Sequence, residues 1–326
     1  MSDLRGTVVV ITGASSGIGR ATALECAARG ASVVVAARRS EPLDELVREC
    51  RSAGGDALAV SVDVTDADAV DALAASAVDA FGRIDAWVNN AGVYLVGLFE
   101  DTPRAAFERV VDVNLMGVVH GSRAALAEFK RNGQGVLVNV SSSIGGLAAP
   151  YVSAYAAAKW GVRGFSYSLA QELRDEPRIH VCVVRPASID TPIFRHGGNY
   201  SGRKMKALTP TYPPELAARI VADLLTDPKR DVIVGRAGKL LALAHALSPR
   251  MTDSVFGPRA ESDQFTDEPQ APGPGNVHEP RSEWTSASGG WPTGSSGGRR
   301  ILAGAGAAAA LAAATSLVVR ERRKSR

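Results

Sequence analysis

Cysteine is scarce in this sequence, and no spacing of its polar residues suggests a metal ion. Cys26, Cys50 and Cys182 are the only three cysteines in 326 residues, and no CxxC pair occurs. An odd number of distant thiols argues against a disulfide framework, so we expect them to pack as small apolar groups in a reducing compartment. The five histidines show no metal-ligand spacing, and we predict no metal site.

A large net charge is missing as well. The formal charge is +3 at pH 7, and the basic excess is local, in RERRKSR at 320–326. Proteins that bind nucleic acids usually carry a broad basic surface, so we expect no nucleic-acid partner. The first residues, MSDLRGTVVVITG, lack the charged and apolar regions of a secretory signal, which favours a cytoplasmic location.

Two kinds of segment instead alternate regularly over residues 1–235. Stretches rich in Ala, Leu, Glu and Arg separate short β-branched runs, which are TVVVIT (7–12), ASVVVAA (31–37), ALAVSV (57–62), IDAWVN (84–89), GVLVNVS (135–141), IHVCVVRP (179–186) and DVIVG (231–235). Apolar strands alternating with helices are typical of a parallel sheet covered on both faces. We therefore predict an α/β fold, a doubly wound parallel sheet of about seven strands, with a flexible C-terminal extension.

The extension has two parts. Residues 258–298 are rich in Pro, Gly, Ser and acidic side chains, and we predict a disordered linker there. Residues 299–326 form an Ala-rich apolar segment with a basic tail, and 301–319 would span about 28 Å as a helix. The segment could contact a membrane surface, or it could be a soluble helix docked on a partner. The basic flanks argue against a spanning helix, because they would place residues 1–257 outside the cytosol.

The turn after the first run has the composition of a phosphate-binding loop. TGASSGIGRATA (12–23) carries Gly13, Gly17 and Gly19 between a predicted strand and a predicted helix. Such glycines let the backbone approach a pyrophosphate, and the helix N-terminus offers free N–H groups. The turn therefore predicts a dinucleotide-binding domain over residues 1–257.

The end of the second run indicates which dinucleotide is bound. Folds that prefer NAD usually have Asp or Glu at this position, whereas this chain has Ala37 followed by Arg38 and Arg39. An arginine attracts a 2′-phosphate and a carboxylate repels it, so we predict NADP(H). The alternative is that these are two solvated arginines at the start of a loop.

A tyrosine and a lysine are placed side by side in SAYAAAKWG (153–161). Tyr155 and Lys159 are separated by three alanines, which favour a helix, and residues four apart lie on one helix face. The pair is either a solvated surface pair or a general acid whose pKa the lysine adjusts.

Together these motifs resemble the short-chain dehydrogenase/reductase family. TGASSGIG (12–19), DVTD (63–66), NNAG (89–92), VDVNLMG (111–117), NVSSS (139–143), YAAAK (155–159) and RPASIDT (185–191) follow the family's order and intervals over residues 5 to about 235. One departure is Pro186-Ala187, where the family commonly has Pro-Gly, so this turn is expected to be built differently.

The resemblance implies a role for each matching residue. The catalytic set would be Asn114, Ser142, Tyr155 and Lys159. Ser142 precedes the tyrosine by the family's thirteen positions, with Ser143 as the alternative. The cofactor site would comprise Gly13, Ser15, Ser16, Gly17, Ile18 and Gly19 at the diphosphate, Arg38 at the 2′-phosphate, Asp63 and Val64 at the adenine, Asn90, Ala91 and Gly92 at the adenosine side, Tyr155 and Lys159 at the nicotinamide ribose, and Pro186, Ile189 and Thr191 at the nicotinamide.

The resemblance also implies a chemistry, which is hydride transfer between NADP(H) and a carbonyl or secondary alcohol. Lys159 is expected to lower the pKa of Tyr155, Ser142 to hold the substrate oxygen, and Asn114 to anchor a water that links Lys159 to solvent. Residues 189–215 are expected to form a mobile lid over a small-molecule substrate. A homo-oligomer is expected through the helices at 103–130 and 153–175.

Two other functions compete with this interpretation. A non-catalytic NADP(H)-binding sensor or scaffold would not need the complete Asn-Ser-Tyr-Lys set. A sugar-nucleotide epimerase can use a YxxxK pair, but such enzymes usually show TGxxGxxG and a larger C-terminal domain.

Overall fold

The computed structural model describes residues 3–294 and confirms the predicted α/β fold. All seven predicted strands lie in one parallel sheet, in the spatial order β3-β2-β1-β4-β6-β7-β10. These strands are β1 (Val8–Thr12), β2 (Ser32–Ala37), β3 (Ala57–Ser61), β4 (Ala86–Asn89), β6 (Gly135–Val140), β7 (Ile179–Pro186) and β10 (Asp231–Val234). Two short pairings lie outside this sheet, and they join β5 (Leu95–Val96) with β8 (Gly198–Asn199) and β9 (Arg203–Met205) with β11 (Phe265–Pro269).

Ten α-helices are present in the described part of the chain. They are α1 (Gly17–Ala28), α2 (Glu41–Ser52), α3 (Ala67–Phe81), α4 (Arg104–Val111), α5 (Gly117–Asn132), α6 (Ser153–Glu172), α7 (Ile193–His196), α8 (Pro214–Leu224), α9 (Arg236–Leu247) and α10 (Pro249–Gln264). A π-helical segment, Asp112–Met116, joins α4 to α5, and a 3₁₀ turn, Ser143–Gly146, follows β6.

The sheet is buried on both faces because successive side chains point to opposite sides. Val9 and Ile11 of β1 pack into a core that includes α1, α2 and α8. Val10 packs into a second core with α3, α5 and α6. Every residue of β1 is buried. The continuous apolar runs in the sequence therefore reflect strands covered by helices on both sides.

The order of the strands places a binding crevice at the carboxyl ends of the central strands. From β1 the chain continues to β2 and β3 on one side, and β4 then returns to the other side of β1. The carboxyl ends of β1 and β4 meet at this switch point, where open α/β sheets bind ligands. The glycine-rich turn follows Thr12 and the NNAG segment begins at Asn89, so both motifs lie at the crevice.

The chain follows a defined path as far as residue 294 and includes regular elements within the range predicted to be a flexible linker. Residues 249–264 form α10, residues 265–269 form β11, and residues 270–294 return over the crevice as irregular chain with turns and bends. Composition did not indicate this path, because it depends on hydrogen bonds to distant side chains and on the packing of Val277 into the core. The predicted apolar helix at 299–326, like residues 295–298, lies outside the described residues. Within 3–294 no helix is both long enough and apolar enough to cross a membrane.

The predicted lid at 189–215 contains short regular elements, namely α7, β8 and β9. Its cationic residues differ in exposure. His196 is buried at 5% exposure, and the Arg195 guanidinium lies between two tryptophan rings.

Candidate active site

The glycine-rich turn has the backbone geometry that its sequence predicted. Gly13 and Gly17 have φ values of +67° and +59°, in the left-handed region that favours glycine. A Cβ at Gly13 would lie 2.6 Å from the Cα atom of Ala91. The turn leads directly into α1, whose N-terminal N–H groups face the crevice and suit an anion. These features fit the diphosphate of a dinucleotide.

A second loop is tied to this turn by hydrogen bonds. The Asn90 side chain donates to the Thr12 carbonyl oxygen at 3.0 Å, and the Asn90 and Ala91 amides donate to Thr12 Oγ1 at 3.1 and 3.2 Å. Gly19 lies against Gly13 and Asn90, so a larger residue there would push the two loops apart. The NNAG segment thus fixes the floor of the crevice.

The adenosine end of the crevice is charged. Arg38 and Arg39 follow β2, and Arg39 donates to Ser15 Oγ at 3.1 Å. Asp63 is held by Arg109 and by Thr65. Burial alone would raise the pKa of Asp63, but the hydrogen bonds from Thr65 and Arg109 outweigh it and lower that pKa.

Asn114 lies in the π-helical segment, where it is fully buried. Its side chain accepts from the Val93 amide at 3.1 Å and donates to the Val93 carbonyl at 2.9 Å. Asn114 Oδ1 is also close to Gly92, where a Cβ would lie 2.6 Å from it and 3.7 Å from Lys159 Nζ. In this structure Asn114 therefore joins the end of α4 to the loop after β4, beside the lysine.

Tyr155 and Lys159 lie on one face of α6, as predicted. Both are buried, and Lys159 Nζ is 5.7 Å from the centre of the Tyr155 ring. Lys159 Nζ donates to the Val140 carbonyl at 2.9 Å, and Ser141 Oγ donates to the Lys159 carbonyl at 2.8 Å. These two bonds fasten α6 to the carboxyl end of β6, so the pair cannot be a solvated surface pair.

The pKa of Tyr155 differs from the sequence-based expectation. Burial raises it to about 12, and the Ser142 hydroxyl acts in the opposite sense. Burial also lowers the pKa of Lys159 to about 8. Lys159 was expected to lower the tyrosine pKa, but removal from water dominates for both groups because it disfavours the charged form of each. The involvement of Ser142 places that serine beside the phenol.

The sequence did not reveal the aromatic wall beside Tyr155. The Tyr94 ring packs edge-on against Tyr155 at 4.8 Å between ring centres, and Phe194 packs on Tyr94 at 5.5 Å. Gln264, the last residue of α10, donates to the Tyr94 hydroxyl at 3.1 Å. Tyr94 follows NNAG by only two positions, which could have indicated its place. Gln264 gave no local signal, since 170 residues separate it from Tyr94.

The turn after β7 accommodates Ala187 without strain. Among the described non-glycine residues only Tyr151 and Trp284 have a positive φ, and the Ala187 amide bonds to the Val234 carbonyl at 3.0 Å. The family's glycine is therefore not required here.

One crevice brings the predicted residues together. Its cavity has a volume of about 240 Å³ and is lined by every predicted site residue except Gly19. Additional lining comes from the aromatic wall and from Asn276, Pro280 and Arg281 of the extension. The cavity is smaller than the roughly 300–1,000 Å³ of ordinary ligand pockets.

Comparison with known proteins agrees with this architecture. A family described as short chain dehydrogenase matches residues 7–199. An uncharacterized oxidoreductase of Bacillus subtilis, YxnA, is 37% identical over 275 residues, which cover 83% of this chain and 77% of that protein. The 3beta-hydroxysteroid dehydrogenase 1 of Eggerthella lenta is 40% identical over 193 residues, or 59% of this chain and 74% of that protein.

A solved structure shows the same likeness in three dimensions. An alcohol dehydrogenase from Thermococcus sibiricus, complexed with 5-hydroxy-NADP, superimposes with a TM-score of 0.61 at 28% identity. It covers 70% of this chain and 95% of its own. With the fold, the crevice and the family match in agreement, this chain is a member of the short-chain dehydrogenase family of oxidoreductases, which use a nicotinamide cofactor.

Proposed function

We propose that this protein transfers hydride between NADP(H) and a carbonyl or secondary alcohol, with Tyr155 as the general acid and base. The observation that carries the proposal is the burial of Tyr155 and Lys159 on one helix face, beside Ser142 and at the end of the glycine-cradled crevice. A non-catalytic cofactor binder would have no need for this arrangement.

Each member of the set has a distinct task. Tyr155 is neutral over the physiological range because burial raises its pKa to about 12, so it is ready to donate a proton to a carbonyl oxygen. Ser142 holds that oxygen by a hydrogen bond. Lys159 orients the nicotinamide ribose and can pass a proton inward, since its pKa of about 8 lies near the working pH. Asn114 keeps the loop after β4 beside the lysine and anchors the water that links Lys159 to solvent.

The cofactor supplies the hydride when bound, and the protein supplies orientation and the proton. This division predicts opposite pH responses for the two directions. Carbonyl reduction needs the phenol and should stay level up to alkaline pH. Alcohol oxidation needs a proton acceptor and should rise with pH.

Three features support NADP(H) over NAD(H). Position 37, the end of β2, holds alanine where a carboxylate would bind the ribose hydroxyls of NAD. Arg38 and Arg39 both line the crevice. The Thermococcus sibiricus relative is described with an NADP derivative.

The aromatic wall and the names of two relatives support a substrate class. Tyr94 and Phe194 give the substrate side of the crevice an apolar aromatic surface. The names of two relatives, an alcohol dehydrogenase and a 3beta-hydroxysteroid dehydrogenase, both denote enzymes that act on a CH–OH group. A small or medium-sized apolar secondary alcohol, or the corresponding ketone, fits these observations.

We also propose a homo-oligomer formed through α4, α5 and α6. Met116 and Trp160 lie on these helices or at their junction and are 39% and 48% exposed. Exposed large apolar side chains often mark an interface.

The first test is a Tyr155→Phe variant assayed with NADPH and a panel of ketones. We expect turnover to fall by about 10²–10⁴-fold, the usual contribution of a general acid, while NADPH still binds. Turnover that survives in Tyr155→Phe would overturn the role of the tyrosine. NADPH binding by the wild type with no turnover of any ketone or alcohol would instead favour the sensor.

The cofactor preference is tested by titrating NADPH and NADH into Arg38→Ala. Loss of a charged hydrogen bond of about 1.5–3 kcal/mol should raise the Kd for NADPH roughly 10- to 100-fold. The Kd for NADH should not rise, because NADH has no 2′-phosphate. Equal weakening of both cofactors would contradict the preference.

A further inference from the structure

Residues 276–291 form a strap that lies across the mouth of the cofactor crevice. Val277 belongs to the apolar core, and Gly289 is the only other buried residue of the strap. Asn276, Pro280 and Arg281 line the crevice itself. The proposed cofactor site and the strap therefore share one space.

The strap accepts hydrogen bonds from arginines near the proposed 2′-phosphate site, including Arg38, which the proposed function assigns to that phosphate. Arg38 Nη1 donates to the His278 carbonyl at 2.6 Å, and Arg38 Nη2 donates to the Asn276 carbonyl at 2.9 Å. Arg39 Nη1 donates to the Arg281 carbonyl at 2.7 Å. Backbone carbonyl oxygens thus stand where phosphate oxygens would accept these bonds.

The strap also covers the diphosphate turn. The Gly17 amide, at the N-terminus of α1, donates to the Ser286 carbonyl at 3.1 Å. An N–H group at this position is the donor that a helix N-terminus offers to an anion. One amide at 3.1 Å cannot serve both the carbonyl and a phosphate.

A separate anchor holds the end of the strap. The Asp190 carboxylate accepts from Ser288 Oγ at 2.5 Å, from the Gly289 amide at 3.0 Å and from the Trp291 amide at 2.7 Å. The Trp291 indole donates to the Thr191 carbonyl at 3.1 Å. These contacts place the anchor directly on the predicted nicotinamide side of the crevice.

Two tryptophans of the strap flank one exposed cation. The Arg195 guanidinium lies 4.3 Å from the ring centres of both Trp284 and Trp291, a distance at which cation–π attraction operates. Trp284 has a φ of +59°, a conformation that is unfavourable for a bulky residue. The docked strap therefore combines specific contacts with local strain.

We propose that the strap is an autoinhibitory segment, which must leave the crevice before the nicotinamide cofactor can bind. This inference rests on the proposed function for the place of the cofactor. The strap and the cofactor compete for Gly17 and Arg38. The apparent Kd for NADP(H) is therefore the intrinsic Kd divided by the fraction of molecules in which the strap is open. On this proposal, displacement of the strap raises activity without any change in the catalytic residues.

Two glycines, Gly289 and Gly273, allow a test of the proposal and a matched control in the whole chain. A Cβ at Gly289 would overlap the carbonyl oxygen of Thr191, whereas a Cβ at Gly273, just before the strap, meets nothing within 4 Å. Gly289→Ala should therefore undock the strap, and Gly273→Ala should leave it docked. We expect Gly289→Ala to bind NADPH and NADH about tenfold more tightly than the wild type, which corresponds to a strap open in about one molecule in ten. Gly273→Ala should match the wild type.

Hydrogen exchange gives the second readout. NADPH should speed exchange of the Gly289 and Trp291 amides in the wild type, because Asp190 then no longer holds them. Slower exchange across 276–291 on adding NADPH would overturn the proposal and show a strap that closes over bound cofactor. Ser288→Ala, which removes a single side-chain contact with Asp190, provides a milder variant with the same expected direction.

The outcomes separate the two proposals. If each cofactor binds with the same Kd to the wild type, to Gly289→Ala and to Gly273→Ala, the strap does not compete, and the proposed function stands. If neither cofactor binds any of the three proteins, the cofactor site is wrong and the competition is wrong with it.

Discussion

The central sheet and the strap are both ordered, but they are held by different kinds of interaction. β1 is buried along its whole length and packs between two apolar cores. The strap places one side chain, Val277, in the core and otherwise contributes mainly backbone carbonyls and amides to Arg38, Arg39 and Asp190. Polar contacts at a surface contribute little net stability, because water competes for each of them. We therefore expect that the strap can be released while the sheet and the helix that carries Tyr155 and Lys159 stay folded.

The sharpest test of this difference compares two tryptophans. Trp87 in β4 is fully buried, whereas Trp291 of the strap is only partly buried. Trp87→Ala should lower the free energy of unfolding by about 3–5 kcal/mol, as for other large core residues. Trp291→Ala should lower it by less than about 1 kcal/mol. Urea denaturation of both variants measures the two values, and comparable losses would mean that the strap belongs to the folded core.

A second test concerns the charge buried beneath the crevice. The pKa of Lys159 is about 8 in the folded protein against 10.5 in the unfolded chain, because burial disfavours the ammonium. The unfolded chain therefore binds the proton more readily, and stability should rise with pH between about 8 and 10.5. Below pH 8 both states are protonated and the cost is constant.

The size of this effect can be measured against Lys159→Met. Between pH 8 and 10 the wild type should gain about 2 kcal/mol more unfolding free energy than the variant. Tyr155 opposes the trend only at higher pH, because its pKa is raised from 10.0 to about 12 and its contribution falls between those values. Parallel stability curves for the two proteins would contradict the buried charge.

A third test concerns the contact between α10 and the aromatic wall. Gln264, at the end of α10, gives the buried Tyr94 hydroxyl its partner. Gln264→Leu should cost about 1–3 kcal/mol of unfolding free energy, because the hydroxyl is left without a hydrogen bond. Adding Tyr94→Phe should recover part of that loss. Strictly additive costs in the double variant would show that the two side chains are not coupled.

Much of the site could be predicted because its signals are local. The glycine turn needs residues that tolerate positive φ and close approach, and Gly13 and Gly17 carry that requirement in their identity. Four-residue spacing on an alanine-rich helix is enough to place Tyr155 beside Lys159. The β-branched runs located all seven strands of the sheet, because strands buried on both faces must be apolar throughout.

Two features could not be read from the sequence because they depend on distant parts of the chain. The sign of the Tyr155 pKa shift depends on how deeply its surroundings, which include the Tyr94 ring, bury the phenol. The path of residues 276–291 depends on carbonyls that accept from Arg38 and Arg39 across the crevice, and composition says nothing about such contacts.

The sequence by itself thus determined the sheet, the glycine-rich turn and the residues that meet at the crevice, since each depends on periodicity, backbone freedom or short spacing. The tertiary structure alone decided the burial of Tyr155 and Lys159, the aromatic wall and the path of the strap. Those features arise from contacts between residues far apart in the chain, such as Arg38 with His278, and no local pattern encodes such contacts.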